Sequence, residues 1–302
     1  MTAPFVVLGD VMVDVVATAA GPLARASDTP ATVSFAGGGS AANTAAWLVH
    51  AGARALLIGR VGDDAAGRAQ IAALQRAGVE ARLAIDPWQP TGTCVVVVEP
   101  DGERTMLPDR GANLELSPDD LPDAAFTSGG HLHVSGYALL DAGPRAAALA
   151  ALQRARDSQM TTSVDPSSTA PLLALGPREF LALVAGADLL LPNDDEARVL
   201  TGIDDPAAAA LALAQQTGSE VVVTAGVRAI HSDGSGVLEV AAPALVQIDT
   251  TGAGDAFGAG LLAARGRGEP PERALAAGHT TARAAIRRIG RASCRERVYG
   301  LV

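Results

Sequence analysis

Short apolar runs alternate along this chain with Ala-rich segments of helical periodicity. The apolar runs that predict strands are 5–8, 55–58, 94–98, 131–134, 162–164, 189–191 and 221–224. The segments that predict helices are 40–51, 64–77, 144–157, 194–200, 207–217, 254–265 and 272–287. This repeated strand-helix-strand order predicts an α/β fold in which a mostly parallel sheet carries helices on both faces. In such sheets ligands bind beyond the carboxyl ends of the strands.

Two stretches interrupt this alternation, at residues 11–36 and about 90–108. Both show the period-two alternation of exposed strands, and Pro100-Asp101-Gly102 is typical of a hairpin turn. We interpret them as a small sheet that projects from the main domain. The pattern alone leaves open whether this sheet is a lid over a site or a plain surface extension.

Composition and charge narrow the class of protein. The 302 residues are 48% apolar, which is enough for a sizeable core, and the formal charge of −10 repels the phosphates of nucleic acids. No apolar segment reaches the roughly 20 residues that span a bilayer. Cys94 and Cys294 lie far apart, with neither metal-site spacing nor a disulfide framework. We therefore expect a cytoplasmic protein with no nucleic-acid partner and no membrane association.

The strongest motif is Asp-Thr-Thr-Gly-Ala-Gly-Asp-Ala-Phe at residues 249–257, where a predicted helix begins. Two glycines one residue apart allow successive N–H groups to form an anion nest, and the helix N-terminus adds unpaired N–H groups. Asp255 would lie beside a phosphate held there and accept the proton of an attacking hydroxyl. An ordinary strand-to-helix turn with an Asp cap remains the alternative. The sequence contains no Walker A motif, so a P-loop enzyme is excluded.

Three weaker features also carry candidate chemistry. Residues 37–43 read Gly-Gly-Gly-Ser-Ala-Ala-Asn, and the glycines allow a ligand to approach the backbone. The side chain of Asn43 has both a donor and an acceptor, which suit a vicinal diol. The same segment is equally consistent with a flexible connector. Asp10 and Asp14 can each accept from sugar hydroxyls, or one of them caps a turn. Asn193 and Glu196 follow a predicted buried strand, where their oxygens suit hydrated Mg²⁺ or cap a helix.

In this order the motifs resemble those of the ribokinase-like (PfkB) family of carbohydrate kinases. Residues 249–257 match its C-terminal signature and residues 38–43 match its N-terminal glycine motif. Further matches occur at 61–64 with Gly67, 78–79, 102–105, 165–166, and Asn193 with Glu196. The resemblance extends from about residue 4 to residue 288.

The resemblance implies a three-layer α/β/α ribokinase-like fold with a mostly parallel central sheet and a small β-sheet lid. It implies an ATP-dependent kinase that phosphorylates a hydroxyl of a sugar or sugar derivative. Asp255 would be the catalytic base, with the N–H groups of Gly252, Ala253 and Gly254 as the anion hole. The substrate-binding residues implied are Asp14, Gly38, Gly39 and Asn43. Those implied at the nucleotide are Asn193, Glu196, Thr224, Gly226 and Thr251. Of these, Glu196 would lie near Mg²⁺ and bind it directly or through water. Asp249 and Thr251 would be ligands of a monovalent cation such as K⁺.

Several points depart from the family pattern or stay open. Ser40 replaces the Lys of some ribose-specific members, so ribose is not assumed. We expect residues 1–288 to form the kinase domain. Residues 289–302 resemble a translated sequencing adapter, and we interpret them as a non-native tail. A nucleoside kinase and a non-catalytic sugar or nucleotide sensor remain alternatives, and the chain would be a monomer or homodimer.

Overall fold

A computed structural model describes residues 4–243 and 252–289, with side chains up to residue 286. The strands are β1 (Phe5–Leu8), β2 (Met12–Ala19), β3 (Ala31–Gly38), β4 (Ala55–Gly62), β5 (Glu80–Asp86), β6 (Gly92–Val98), β7 (Arg104–Asp109), β8 (His131–Ser135), β9 (Thr161–Asp165), β10 (Leu189–Leu190), β11 (Glu220–Ala225), β12 (Arg228–Ser232) and β13 (Val237–Ala241). The helices are α1 (Ser40–His50), α2 (Ala65–Arg76), α3 (Tyr137–Leu140), α4 (Arg145–Asp157), α5 (Thr169–Leu175), α6 (Pro177–Leu183), α7 (Asp194–Thr201), α8 (Pro206–Thr217), α9 (Ala253–Gly266) and α10 (Pro271–Ile289). The helical segments predicted from the sequence thus form helices close to the expected bounds.

The large sheet has nine strands in the order β13-β12-β11-β10-β9-β8-β1-β4-β5. The seven strands from β11 to β5 run parallel, whereas β12 and β13 are antiparallel to their neighbours. One apolar core joins this sheet to α4, α7 and α8, and a second joins its other face to α1, α9 and α10. The structure therefore confirms the predicted three-layer α/β/α fold with a mostly parallel sheet.

The two stretches that interrupt the alternation form one separate four-stranded sheet, in the order β3-β2-β6-β7. Strands β2 and β6 are parallel, and the other two pairs are antiparallel. One face of this small sheet carries the buried side chains of Met12, Val16, Cys94 and Val96. Since side chains alternate along a strand, Phe35 belongs to the opposite face, where it is 70% exposed.

Two glycines allow α9, the helix that carries Asp255, to pack closely against α10. A Cβ atom at Gly260 would lie 2.7 Å from the carbonyl oxygen of Ala277, and one at Gly278 would lie 2.7 Å from the ring of Phe257. Helices α9 and α10 therefore approach each other more closely than larger residues would permit. This packing fixes the position of α9 against α10.

The sequence pattern missed the strands at both edges of the large sheet. Strand β5 reads Glu-Ala-Arg-Leu-Ala-Ile-Asp, and six of its seven residues are exposed or only partly buried, so it lacks the apolar run used to recognise the central strands. Strands β12 and β13 form an antiparallel hairpin next to β11. Within residues 4–243 and 252–289, no helix has the length and apolarity needed to cross a membrane.

Candidate active site

A cavity of about 620 Å³ opens at the carboxyl ends of the central strands, beneath the small sheet. Asp10 follows β1, Asp165 ends β9 and Asn193 follows β10, and all three line this cavity. Asp14, from the small sheet, also lines the cavity. The cavity therefore lies where parallel α/β sheets bind their ligands.

Asp255 lies in the first turn of α9, at the edge of this cavity. Gly252 is the N-cap residue, with a φ of 72° that favours glycine, and its carbonyl oxygen accepts a hydrogen bond from the N–H group of Ala256. Gly252 and Gly254 both line the cavity. The unpaired N–H groups of this first turn create a positive end that attracts an anion. The site thus combines a helix N-terminus, which can attract an anion, with a carboxylate beside it.

Two side chains from α1 hold the carboxyl group of Asp255. The hydroxyl of Ser40 donates to Oδ1 at 2.8 Å, and Nδ2 of Asn43 donates to Oδ2 at 2.8 Å. Burial raises the pKa of Asp255 to about 7, because it disfavours the charged form more than the two donors favour it. The nearby carboxylates of Asp165 and Asp10 raise this pKa further. Asp255 is therefore poised to exchange a proton near neutral pH.

The sequence predicted that Asn43 would hold a sugar hydroxyl, and the structure shows a different immediate partner. Its Nδ2 is used by Asp255, and its Oδ1 is buried without a hydrogen-bond partner among the described residues. The whole residue is only 7% exposed. Asn43 lines the cavity, but its amide is turned toward the carboxyl group of Asp255.

Asp10 and Asp14 have different environments. The carboxylate of Asp10 accepts hydrogen bonds from the N–H groups of Ser40 and Ala41, each at 3.3 Å, and from the hydroxyl of Ser135 at 3.2 Å. Asp10 thus caps the N-terminus of α1 from another part of the chain. Asp14 faces the cavity, and its pKa is raised to about 7 by burial and by the charges of Asp10 and Asp255.

The glycines before α1 allow close approaches that a side chain would prevent. Gly39 has a φ of 97°, and a Cβ atom there would lie 2.5 Å from the carbonyl oxygen of Asp10. Gly38 lies against the carboxyl group of Asp14 and does not itself line the cavity. These residues are therefore required by a tight chain path, in contrast to a flexible connector.

Asn193 and Glu196 form a capping box at the start of α7. The N–H group of Asn193 donates to Glu196 at 3.0 Å, and the N–H group of Glu196 donates to the side chain of Asn193 at 2.8 Å. Both residues also line the cavity, although Glu196 is only 2% exposed. The structure thus shows both the capping role and a position at the cavity.

Asp165 is a site residue that the sequence reasoning did not single out, although Asp165-Pro166 was among the family matches. Burial and the nearby charge of Glu196 raise the pKa of Asp165, and burial raises that of Glu196. Two carboxyl groups that repel each other beside a cavity suit a cation between or near them. Among the described residues, no group of three or more metal-ligating side chains occurs. A divalent ion here would need ligands from water or from a bound phosphate.

The other residues predicted at the nucleotide and cation sites differ in their relation to the cavity. Thr224 lines the cavity from the end of β11. Gly226 occupies the turn between β11 and β12, with a φ of 59°, and does not line the cavity. The predicted cation ligands Asp249 and Thr251, and residues 290–302 of the predicted non-native tail, lie outside the described residues.

Arg110 is a second cavity residue that sequence reasoning missed, because it follows β7 without a recognisable motif. Its guanidinium group lies 3.7 Å from the centre of the Tyr137 ring, 3.5 Å from Asp10 and 3.6 Å from Asp141. The sequence contains no lysine, and among the described residues that line the cavity Arg110 is the single cation. The described wall is therefore strongly acidic.

Comparison with known proteins identifies the family. The family described as pfkB family carbohydrate kinase matches residues 3–297. A fructokinase of Klebsiella pneumoniae is 33% identical over 266 residues, which cover 85% of this chain and 82% of that protein.

Solved structures agree with this result. An adenosine kinase from Sinorhizobium meliloti is 27% identical with a TM-score of 0.85, covering 96% of this chain and 95% of that one. A fructokinase from Vibrio cholerae O395 is 27% identical with a TM-score of 0.79, covering 96% of this chain and 100% of that one. The chain therefore belongs to the pfkB family of carbohydrate kinases, and it is a phosphotransferase that uses an alcohol group as acceptor.

Proposed function

We propose that the enzyme transfers the γ-phosphoryl group of ATP in line to a hydroxyl of a small sugar, with Asp255 as the general base. The observation that carries this proposal is the position of Asp255 in the first turn of α9, beside the cavity, with a pKa raised to about 7. A carboxylate with this pKa is ionised enough at neutral pH to accept a proton. Its placement beside a helix N-terminus brings the base next to the group that is transferred.

Residues of the chain supply the positioning that phosphoryl transfer requires. The substrate hydroxyl gives its proton to Asp255 as its oxygen attacks the γ-phosphorus, and ADP leaves from the opposite side. The N–H groups of Gly252, Ala253 and Gly254 would stabilise the negative charge on the transferring group. Asp14 would accept from a second sugar hydroxyl, because its carboxyl group faces the cavity from the small sheet. In this role the small sheet is a lid that excludes water from the reaction.

The acidity of the described wall supports a requirement for Mg²⁺. ATP carries several negative charges, and the one described cation in the cavity, Arg110, already lies near Asp10 and Asp141. Mg²⁺ would neutralise charge on the phosphates when bound. Glu196 and Asp165 would hold it, directly or through water, since a cation relieves the repulsion between their carboxylates. A K⁺ site at Asp249 and Thr251 is part of the same proposal and rests on the family signature alone.

The relatives and the lid support a free sugar in preference to a nucleoside. Three bacterial relatives at 31% to 33% identity are named fructokinase, which makes fructose the first substrate to test. A nucleobase would favour an aromatic platform for stacking. The cavity face of the lid instead carries Met12, Cys94 and Val96, and Phe35 lies on the other face. The adenosine kinase of similar structure keeps a nucleoside as the second candidate.

The test is ADP release with Mg-ATP, with and without potassium, over fructose, other hexoses, pentoses, sugar acids and adenosine. The variant Asp255→Asn should lose kcat by a factor of roughly 10² to 10⁴ while it still binds the sugar in calorimetry. The control Asp204→Asn changes an exposed residue of the loop after α7 and should keep wild-type activity. Turnover with adenosine alone would favour the nucleoside kinase. Sugar binding with no turnover over the whole panel would favour the sensor, and full activity in Asp255→Asn would remove Asp255 as the base.

A further inference from the structure

We propose that Ser40 is a positioning residue for the base: its hydroxyl holds one carboxylate oxygen of Asp255, while Asn43 holds the other. The catalytic meaning of this inference rests on the proposed function, but the hydrogen bonds themselves do not. In the sequence, Ser40 stands where some ribose-specific members of the family carry Lys.

The two donors act together because they share one face of α1. Residues three apart on a helix are neighbours on its surface, so Ser40 and Asn43 present their side chains to the same group. Each donor lies 2.8 Å from a different oxygen of Asp255. A carboxylate held at both oxygens cannot rotate freely, and its remaining lone pairs stay directed toward fixed points.

Ser40 is itself held in place by a second carboxylate. Asp10 accepts from the N–H groups of Ser40 and Ala41, and thereby caps the first turn of α1. Asp10 is in turn bonded by the hydroxyl of Ser135 at 3.2 Å and by Arg110 at 3.5 Å. Asp10, which follows β1 of the large sheet, therefore fixes the backbone of Ser40. The Ser40 hydroxyl is thus already positioned to hydrogen-bond Asp255.

Neighbouring carboxyl groups disfavour the ionised form of Asp255, and the hydrogen bonds from Ser40 and Asn43 oppose this effect. Carboxyl groups surround it from three elements: Asp10 after β1, Asp14 on β2 and Asp165 at the end of β9. Glu196 on α7 adds a fourth to the same cavity, and Arg110 lies 3.5 Å from Asp10. All four carboxyl groups oppose a negative charge on Asp255 when they are ionised. Among the described residues, the side chains that donate hydrogen bonds to this carboxyl group are those of Ser40 and Asn43.

A purely structural role for Ser40 predicts a different result. If Ser40 only began the helix, its loss would lower stability or activity by the same factor at every pH. If its hydroxyl stabilises the ionised form of Asp255, its loss makes this form harder to reach and moves the titration of Asp255 to higher pH. The pH dependence therefore separates the two roles.

The deciding measurement is the titration of Asp255, followed by NMR in protein labelled with ¹³C at the aspartate carboxyl carbons. The signal is assigned by its loss in Asp255→Asn, and no substrate is required. Ser40→Ala should move the titration midpoint upward by about one pH unit, the size expected for loss of one hydrogen bond to a charged group. Ser40→Thr keeps the hydroxyl and should stay closer to wild type than Ser40→Ala.

A matched control removes a serine that donates to an aspartate on the surface. Ser235 donates to Asp233 at 2.6 Å in an exposed turn, so Ser235→Ala should leave the midpoint of Asp255 unchanged. An unchanged midpoint in Ser40→Ala would overturn the proposal. So would an equal upward movement in Ser40→Thr and Ser40→Ala, because the hydroxyl would then not be the cause.

Kinetics provide the second readout once a substrate is known. In Ser40→Ala the acid limb of the kcat/KM profile should move upward with the midpoint, so that the loss of activity is about tenfold at pH 6 and small at pH 9. A uniform loss at all pH values would argue against the proposal. Absence of turnover in the wild-type enzyme on every sugar would contradict the proposed function, while the NMR midpoint would still decide the role of Ser40.

Discussion

Gly38 lies so close to Asp14 that a Cβ atom at position 38 would stand 2.5 Å from the carboxyl carbon of Asp14 and 2.6 Å from its Oδ2. Gly38 ends β3, and Asp14 lies on the neighbouring strand β2. Any side chain at position 38 must therefore displace the carboxyl group that faces the cavity. This contact gives the glycine a role in the site although Gly38 does not line the cavity.

Replacement of Gly38 by Ala should weaken sugar binding, because it moves the carboxyl group of Asp14. We expect KM for the sugar to rise about tenfold, the effect of roughly 1.4 kcal/mol of lost binding free energy. The matched control is Gly21→Ala, at a position with no atom within 4 Å of the added Cβ. Steady-state kinetics check the prediction, and an unchanged KM in Gly38→Ala would show that Asp14 does not bind the sugar.

Gly39→Ala should lower the free energy of unfolding more than Gly52→Ala. Both positions have positive φ angles, of 97° and 84°, so both substitutions carry backbone strain of about 1–3 kcal/mol. Only at Gly39 does the new Cβ approach another atom, the carbonyl oxygen of Asp10 at 2.5 Å, whereas Gly52 has no atom within 4 Å. Overpacking should add about 1–3 kcal/mol at Gly39. Urea unfolding of both variants tests this difference, and equal losses would contradict the tight chain path before α1.

The activity should fall on the acid side of pH 7. Asp255 must be ionised to accept a proton, and burial raises its pKa to about 7. Below that pH the carboxyl group is increasingly protonated, so kcat/KM should decrease about tenfold for each pH unit. Asp14, with a pKa also raised to about 7, can steepen this limb. The profile is measured by ADP release between pH 5 and 9 with a saturating Mg-ATP concentration. A flat profile down to pH 5 would contradict a base with a raised pKa.

The stability of the fold should decrease between pH 6.5 and pH 4 because of His133. This residue is 2% exposed and shares a hydrogen bond of 2.8 Å with Ser163, and burial lowers its pKa from 6.5 to about 4. The unfolded chain takes up a proton in this range while the folded chain does not, so protons favour unfolding. At pH 5 the loss from this residue is about 2 kcal/mol relative to pH 7.

The substitution His133→Asn checks this prediction, since it keeps a hydrogen-bonding side chain but removes the titration. Urea unfolding at pH 7 and pH 5 should show that the variant loses about 2 kcal/mol less than the wild type on acidification. An identical loss in both proteins would show that His133 does not titrate on unfolding. His131, whose pKa burial lowers to about 3, should account for part of the dependence that remains in the variant.

The central strands and the helices of the large domain were predictable from the sequence. Buried parallel strands read as continuous apolar runs, and Ala-rich helices between them keep a clear period. The edge strands β5, β12 and β13 were not predictable in this way. Strand β5 is polar and partly exposed, so its identity depends on pairing with β4 and not on its own pattern.

The candidate chemistry followed from motifs at element junctions, but the partners of each side chain did not. The motif at 249–257 placed Asp255 at the start of a helix, because glycine spacing and helix periodicity are local properties. The contact of Ser40 with Asp255 joins residues 215 positions apart, and no local pattern encodes it. The same limit explains why Arg110 was missed, since its partners Asp10, Tyr137 and Asp141 come from other elements.

By itself, the sequence determined the α/β class, the order of the motifs and the residue types available for phosphoryl transfer. These depend on short-range periodicity and on turn residues. Only the tertiary structure decided that Asp10 caps α1 while Asp14 faces the cavity, and that Asn43 and Ser40 turn toward Asp255. The physical reason is that hydrogen-bond direction and burial depend on the packing of α1, α9 and the small sheet around one cavity, which brings distant parts of the chain within bonding distance.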